Sequence, residues 1–176
     1  MNYWEQDKKF ADKYLPQITA ILKDNAKHIV SIIIAPYEDD TLRATDYIIK
    51  VESGTVAVRL RRDSYYRKYR DWTIRSRRAS GMETELIKLK KGFASWYLYG
   101  WTVQEDITAW MLIDLAKVRS KTILDMKWNE KDNHDGTHFI YIPAKFLKEQ
   151  DCIIASNDIE LKIINNQMMS PHIIKR

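Results

Sequence analysis

One cysteine, Cys152, stands alone in 176 residues. It excludes an intramolecular disulfide framework and a zinc site built on clustered thiolates, and it suits a reducing compartment. Glycine and proline are scarce, at five and four, and no linker, low-complexity tract or internal repeat is visible. There is accordingly no glycine-rich loop to cradle phosphates, no dinucleotide fingerprint and no nucleophile elbow. No apolar run approaches the roughly 20 residues of a membrane helix; the longest, Ile29 to Ala35, contains Ser31 and is strand-sized. The N-terminus is polar and shows no secretory signal. These absences predict a soluble, cytoplasmic protein with no membrane partner.

What is present suffices for a core. The chain is 45% apolar, with six tryptophans and ten tyrosines, and its length suits one domain spanning residues 1–176. The tryptophans are expected in the core and at sheet edges. Net charge is +5, but it is unevenly placed. Residues 59–78 hold eight Arg and one Lys against Asp63 and Asp71, an excess of +7, so the rest of the chain sums to −2. Such asymmetry favours a polyanionic partner.

Residues 4–27 have helical spacing, with Phe10, Tyr14, Ile18, Ile21 and Leu22 on one face and Pro16 predicting a kink or a break. Ile29 to Ala35 is a β-branched strand of the kind buried on both faces. Thr45 to Arg62 predicts a hairpin turning at Glu52-Ser53-Gly54, with Gly54 taking positive φ. On its second strand, alternation puts Val56, Val58 and Leu60 on the core face and Ala57, Arg59 and Arg61 on the other. The next segment interleaves Tyr65, Tyr66, Tyr69 and Trp72 with Arg67, Lys68 and Arg70 in a loop, and a short strand follows with Ile74 opposite Arg75 and Arg77. Ser80-Gly81-Met82-Glu83 matches a capping box before a helix with an apolar stripe of Met82, Leu86 and Leu89, stopped at Gly92. On that helix Glu83, Glu85 and Lys88 face either a pocket or solvent. Strands are predicted over 93–101 and 107–115, with a connection at 103–106. A helix is expected within 116–128, a polar loop over 129–136 and a strand over 137–142. A helical turn over 144–149 and one or two last strands, 152–155 and 159–164, complete the order. His134 and His138 flank Gly136, which suits a turn better than a metal-binding helix. The elements sum to an α+β fold, a mixed central sheet flanked by helices.

The order helix, strand, hairpin with Asp46 opening its first strand, polar residues alternating on the next, then helix and strand, resembles the PD-(D/E)XK, or restriction-endonuclease-like, nucleases over roughly residues 10–145. The late strand His138 to Pro143 is similar to one in some branches of that superfamily. The resemblance implies a divalent metal, Mg²⁺ or Mn²⁺, on Asp46, and a phosphodiesterase site in which Arg59-Leu60-Arg61 replaces (Glu/Gln)-x-Lys. Guanidinium has no lone pair to offer a metal, so a second carboxylate must come from elsewhere: Glu52, Asp39 or Asp114. Catalysis would then rest on Asp46, Arg59 and Arg61, with Asp46 and Glu52 as metal ligands and Arg61 on the scissile phosphate. Without a second ligand, the scaffold becomes a binding protein that needs no cofactor.

The basic segment implies its own chemistry. Cations neutralise phosphates, and unpaired bases stack on aromatic rings. Arg62, Tyr65, Tyr66, Arg67, Lys68, Arg70, Trp72, Arg75, Arg77 and Arg78 are the candidate nucleic-acid contacts, to DNA or RNA. The alternative is a non-catalytic interaction module of the phage or mobile-element accessory type, whose Arg/Tyr surface binds an acidic protein.

Overall fold

Residues 9–10, 12–25, 29–34, 47–51, 54–62 and 69–158 are described by a computed structural model, 29–34 and 47–51 through backbone pairing alone. The order is α1 (Leu15–Asn25), β1 (Ile29–Ile34), β2 (Tyr47–Val51), β3 (Gly54–Arg62), β4 (Asp71–Arg78), α2 (Glu85–Lys90), β5 (Trp96–Val103), β6 (Asp106–Asp114), α3 (Leu115–Ser120), a 3₁₀ turn (Ile123–Asp125), β7 (Glu130–Asp132), β8 (Thr137–Pro143), α4 (Ala144–Glu149) and β9 (Ile153–Ser156). Six strands form one sheet in the order β1-β2-β3-β5-β6-β9, and three form a second in the order β4-β8-β7. All neighbours are antiparallel except β3 and β5, which run parallel with Val56 opposite Trp96 and Arg62 opposite Thr102. A parallel pair demands a long crossover, and residues 63–95, carrying β4 and α2, supply it. The fold is α+β with a mixed sheet, as expected.

Alternation on β3 sorts the core into two parts. Val56 and Val58 are buried on one face with Leu98, Ile107 and Leu112, and α1 lays Ile18 and Leu22 against them, with Tyr14 from the turn that precedes it. Pro16 sits in the first turn of α1, where its missing N–H is harmless. Gln17 and Tyr14 fix the helix to the β5–β6 turn: Gln17 Oε1 accepts from Ile107 N–H at 2.7 Å, and the Tyr14 hydroxyl donates to the Gln104 carbonyl at 2.8 Å. On the other face, Ala57, Tyr97, Tyr99, Trp101, Met111 and Ile113 pack with Trp72, Ile74, Ile140 and Ile142 of the second sheet and with apolar residues of α2, α3 and α4. The arginine face of β3 is therefore an interior surface between two sheets, where an open one was expected.

Three local expectations are corrected. Val51 pairs with Gly54, so Gly54 is a strand residue without positive φ. Its lack of a side chain serves close approach instead: a Cβ there would lie 2.2 Å from Ser95 Oγ and 2.6 Å from Ser95 Cβ. The cap of α2 is Thr84, which accepts from Ile87 N–H; Ala79 and Ser80 form a turn closed by Gly81 N–H on the Arg78 carbonyl, and Met82 is exposed. Gly92 ends this helix as expected, at φ 83°. The segment 129–136 contains β7, paired antiparallel with β8. β1 is the outermost strand of the described sheet, and the burial of its side chains lies outside the described residues. Residues 159–164 lie outside the described residues.

Candidate anion-binding site

Between β3, β4 and the β7–β8 hairpin lies a pocket of about 70 Å³ lined by Arg59, Arg61, Thr73, Arg75, Asn133, Thr137, His138 and Phe139. Each wall is built by local sequence. Arg59 and Arg61 share a face of β3 because strand residues alternate. Thr73 and Arg75 come from β4, whose register slips between Arg75 and Arg77. The β7–β8 turn is held by its own polar side chains. Asp135 accepts from Thr137 N–H at 2.9 Å and from its hydroxyl at 2.5 Å, while Asn133 N–H donates to the Thr137 carbonyl at 2.9 Å. These bonds, the Thr137 hydroxyl first, hold the Asp135 carboxyl below its ordinary range. Left-handed backbone at His134 and Gly136, φ 60° and 80°, completes the turn, which confirms that the two histidines do not form a helical metal pair.

Behind the pocket, a buried carboxylate organises the arginines. Glu85 is 5% exposed. Its Oε2 accepts from Arg59 Nη1 at 2.5 Å and from Arg75 backbone N–H at 2.9 Å, and its Oε1 accepts from the Tyr97 hydroxyl. Burial, and then the Glu85 charge, push the Tyr97 phenol well above its ordinary range. Arg59 Nη1 also donates to the Thr73 carbonyl at 3.4 Å. Arg61 Nη1 donates to Thr73 Oγ1 at 3.2 Å and to the Tyr99 hydroxyl at 3.4 Å, and those two hydroxyls are 2.7 Å apart. The guanidinium of Arg75 is different. It is half-buried, and no acceptor among the described residues is hydrogen-bonded to it. Burial, then Arg59 and Arg78, lower its proton affinity; Glu85 and Asp135 oppose this. Three guanidiniums thus share one pocket with no carboxylate in its lining. Asp71, whose carboxyl burial pushes up against the pull of Lys131 and Arg61, stands at the periphery.

The other candidates scatter. Arg62 stacks on Phe10, 5.3 Å from the ring centre, beside α1. Arg70 pairs with Asp158 at 3.4 Å and Arg77 with Glu130 at 2.9 Å. Arg78 Nε is buried without a hydrogen-bond partner among the described residues. Trp72 is corrected outright: it is fully buried, edge-on to Tyr97 with ring centres 5.3 Å apart, and offers no stacking face to a base. Asp46, Glu52, Tyr65, Tyr66, Arg67 and Lys68 lie outside the described residues, as does Asp39. Asp114, the remaining candidate for a second carboxylate, caps α3 by accepting from Lys117 N–H at 3.0 Å. Arg59 is an ion-pair partner of Glu85, its guanidinium already engaged by that carboxylate. No group of three His, Cys, Asp or Glu among the described residues is placed to hold a metal.

Five lining residues went unrecognised in the sequence: Thr73, Asn133, Thr137, His138 and Phe139. Of Glu83, Glu85 and Lys88, expected to face either a pocket or solvent, Glu85 and Lys88 are buried on the same side of α2 as Leu89, and Glu83 is exposed.

No helix among the described residues is long and apolar enough to cross a membrane. No protein-family model, curated protein or solved structure matches this chain.

Proposed function

We propose that the protein binds nucleic acid through its phosphates, on a restriction-endonuclease-like core whose second-ligand position holds arginine. The observation that carries this reading is the convergence of Arg59, Arg61 and Arg75 on one pocket, with Arg75 left without a hydrogen-bonded acceptor among the described residues. Guanidinium forks match phosphate oxygens in pairs, and a partly desolvated fork gains more from an anion than a hydrated one. The order helix, strand, hairpin, helix and parallel strand is compatible with such a core. A phosphodiesterase version would use Asp46 and Glu52 to hold Mg²⁺ or Mn²⁺, with the metal activating water. Arg59 and Arg61 would then act as electrostatic clamps, since guanidinium stays protonated and cannot serve as a base.

The test is a mobility-shift and cleavage assay on single- and double-stranded DNA and RNA, with and without Mg²⁺ or Mn²⁺. Binding that weakens as salt rises supports the reading. Cleavage abolished by Asp46→Ala supports the catalytic version. Binding of polyglutamate with none to any nucleic acid would move the function to recognition of an acidic protein.

A further inference from the structure

We infer that the pocket between the two sheets takes a single phosphate monoester, the terminal phosphate of a nucleic-acid strand or of a free nucleotide, in preference to a phosphodiester within a chain. The inference deepens the nucleic-acid reading and stands apart from it in its test. Size comes first. A cavity of about 70 Å³ has room for several waters or one tetrahedral oxyanion. Enclosure comes next. The lining is drawn from β3, β4 and the β7–β8 hairpin, so a phosphate inside has walls on three sides. An internal diester must leave with a sugar on each of two oxygens, whereas a monoester leaves with one.

Charge points the same way. The lining holds three arginines and one histidine; of the two carboxylates beside it, Glu85 is committed to Arg59, the Arg75 N–H and the Tyr97 hydroxyl, and Asp135 to Asn133 and Thr137. A monoester carries about −1.5 to −2 charges at neutral pH, against −1 for a diester. A donor is in place as well. The Arg75 guanidinium has no hydrogen-bonded acceptor among the described residues, while the Thr137 hydroxyl and the Asn133 amide already donate to Asp135 and hold the turn beside it. Phe139 supplies an apolar wall that limits water around the site. The preorganised hairpin means that little ordering cost falls on binding.

Five probes test this on the full chain: one fluorescent single-stranded oligonucleotide bearing a 5′-phosphate, a 3′-phosphate or neither, and inorganic phosphate and a nucleoside monophosphate as competitors. A phosphorylated end should strengthen binding by at least about tenfold, the worth of one charge-assisted hydrogen bond. Arg75→Gln should bring the ratio of phosphorylated to unphosphorylated affinity to near one, and Arg75→Lys, which keeps charge but loses the fork, should leave it intermediate. Circular dichroism of both variants checks folding, and either folded variant suffices. Monophosphate binding that depends on Arg75, with no oligonucleotide bound, keeps the pocket and overturns the nucleic-acid reading. Oligonucleotide binding indifferent to the terminal phosphate overturns the pocket and keeps that reading. No binding of any probe overturns both.

Discussion

Glu85 is the side chain on which the arrangement of the arginines depends, so Glu85→Ala is the most informative single change. Two costs combine. Breaking a buried ion pair costs about 3–5 kcal/mol, but the Arg59 side chain is 29% exposed, so water recovers part and about 2–3 kcal/mol remains. The Tyr97 hydroxyl and the Arg75 N–H also lose their acceptor, and a buried donor left unsatisfied costs about 1–3 kcal/mol. A total near 3–4 kcal/mol follows once partial relaxation is allowed for. At about 2–4 °C per kcal/mol for a chain of this size, Tm should fall by about 6–16 °C. Glu85→Gln preserves volume and an acceptor and should lose about 1–2 kcal/mol. Glu83→Ala is the control. Glu83 is exposed and pairs with Lys91, and its removal should cost at most about 1 kcal/mol. Urea unfolding of the three variants decides the matter. If Glu85→Ala unfolds within about 0.5 kcal/mol of the parent, the buried carboxylate does not hold Arg59, and the pocket geometry built on it fails.

Three further outcomes are expected. Gly54→Ala should destabilise by about 1–3 kcal/mol through overpacking against Ser95; Ser95→Gly should recover part of it in a double-mutant cycle, and additive effects would refute the close approach. Trp72→Phe should lower stability yet leave nucleic-acid affinity per folded molecule unchanged; loss of affinity in a folded variant would return Trp72 to the interface. Tyr97, whose folded phenol holds its proton well above the ordinary range, loses that proton more readily when unfolded. Stability should therefore fall as pH rises above about 10, and Tyr97→Phe should flatten that fall in urea midpoints taken between about pH 8 and 11.

The period-2 alternation on β3 was legible because Val56 and Val58 answer a real apolar layer, the face of α1. It could not show that the arginine face is also covered, since the covering strands, β4 and β8, are remote in sequence and carry their own mixed pattern. Trp72 illustrates the cost of reading composition alone: an aromatic among arginines resembles a stacking platform, but β4 turns it into the core beside Tyr97. The α2 boundary was misplaced because Ser80-Gly81-Met82-Glu83 matches the spacing of a capping box, while Thr84 makes the cap. Gly54 was read for backbone freedom when its role is clearance from Ser95, a contact 41 residues away in sequence that no local rule contains. His138 was judged only as a metal ligand, and its place in the pocket follows from pairing opposite Arg77, which is tertiary information.

The most direct measurement is the salt dependence of binding to one oligonucleotide, for the parent protein and for Arg75→Gln. Phosphate contact by the pocket predicts a negative slope of log K against log salt, made shallower by about one in the variant. A slope of zero, or one that Arg75→Gln leaves untouched, contradicts the account.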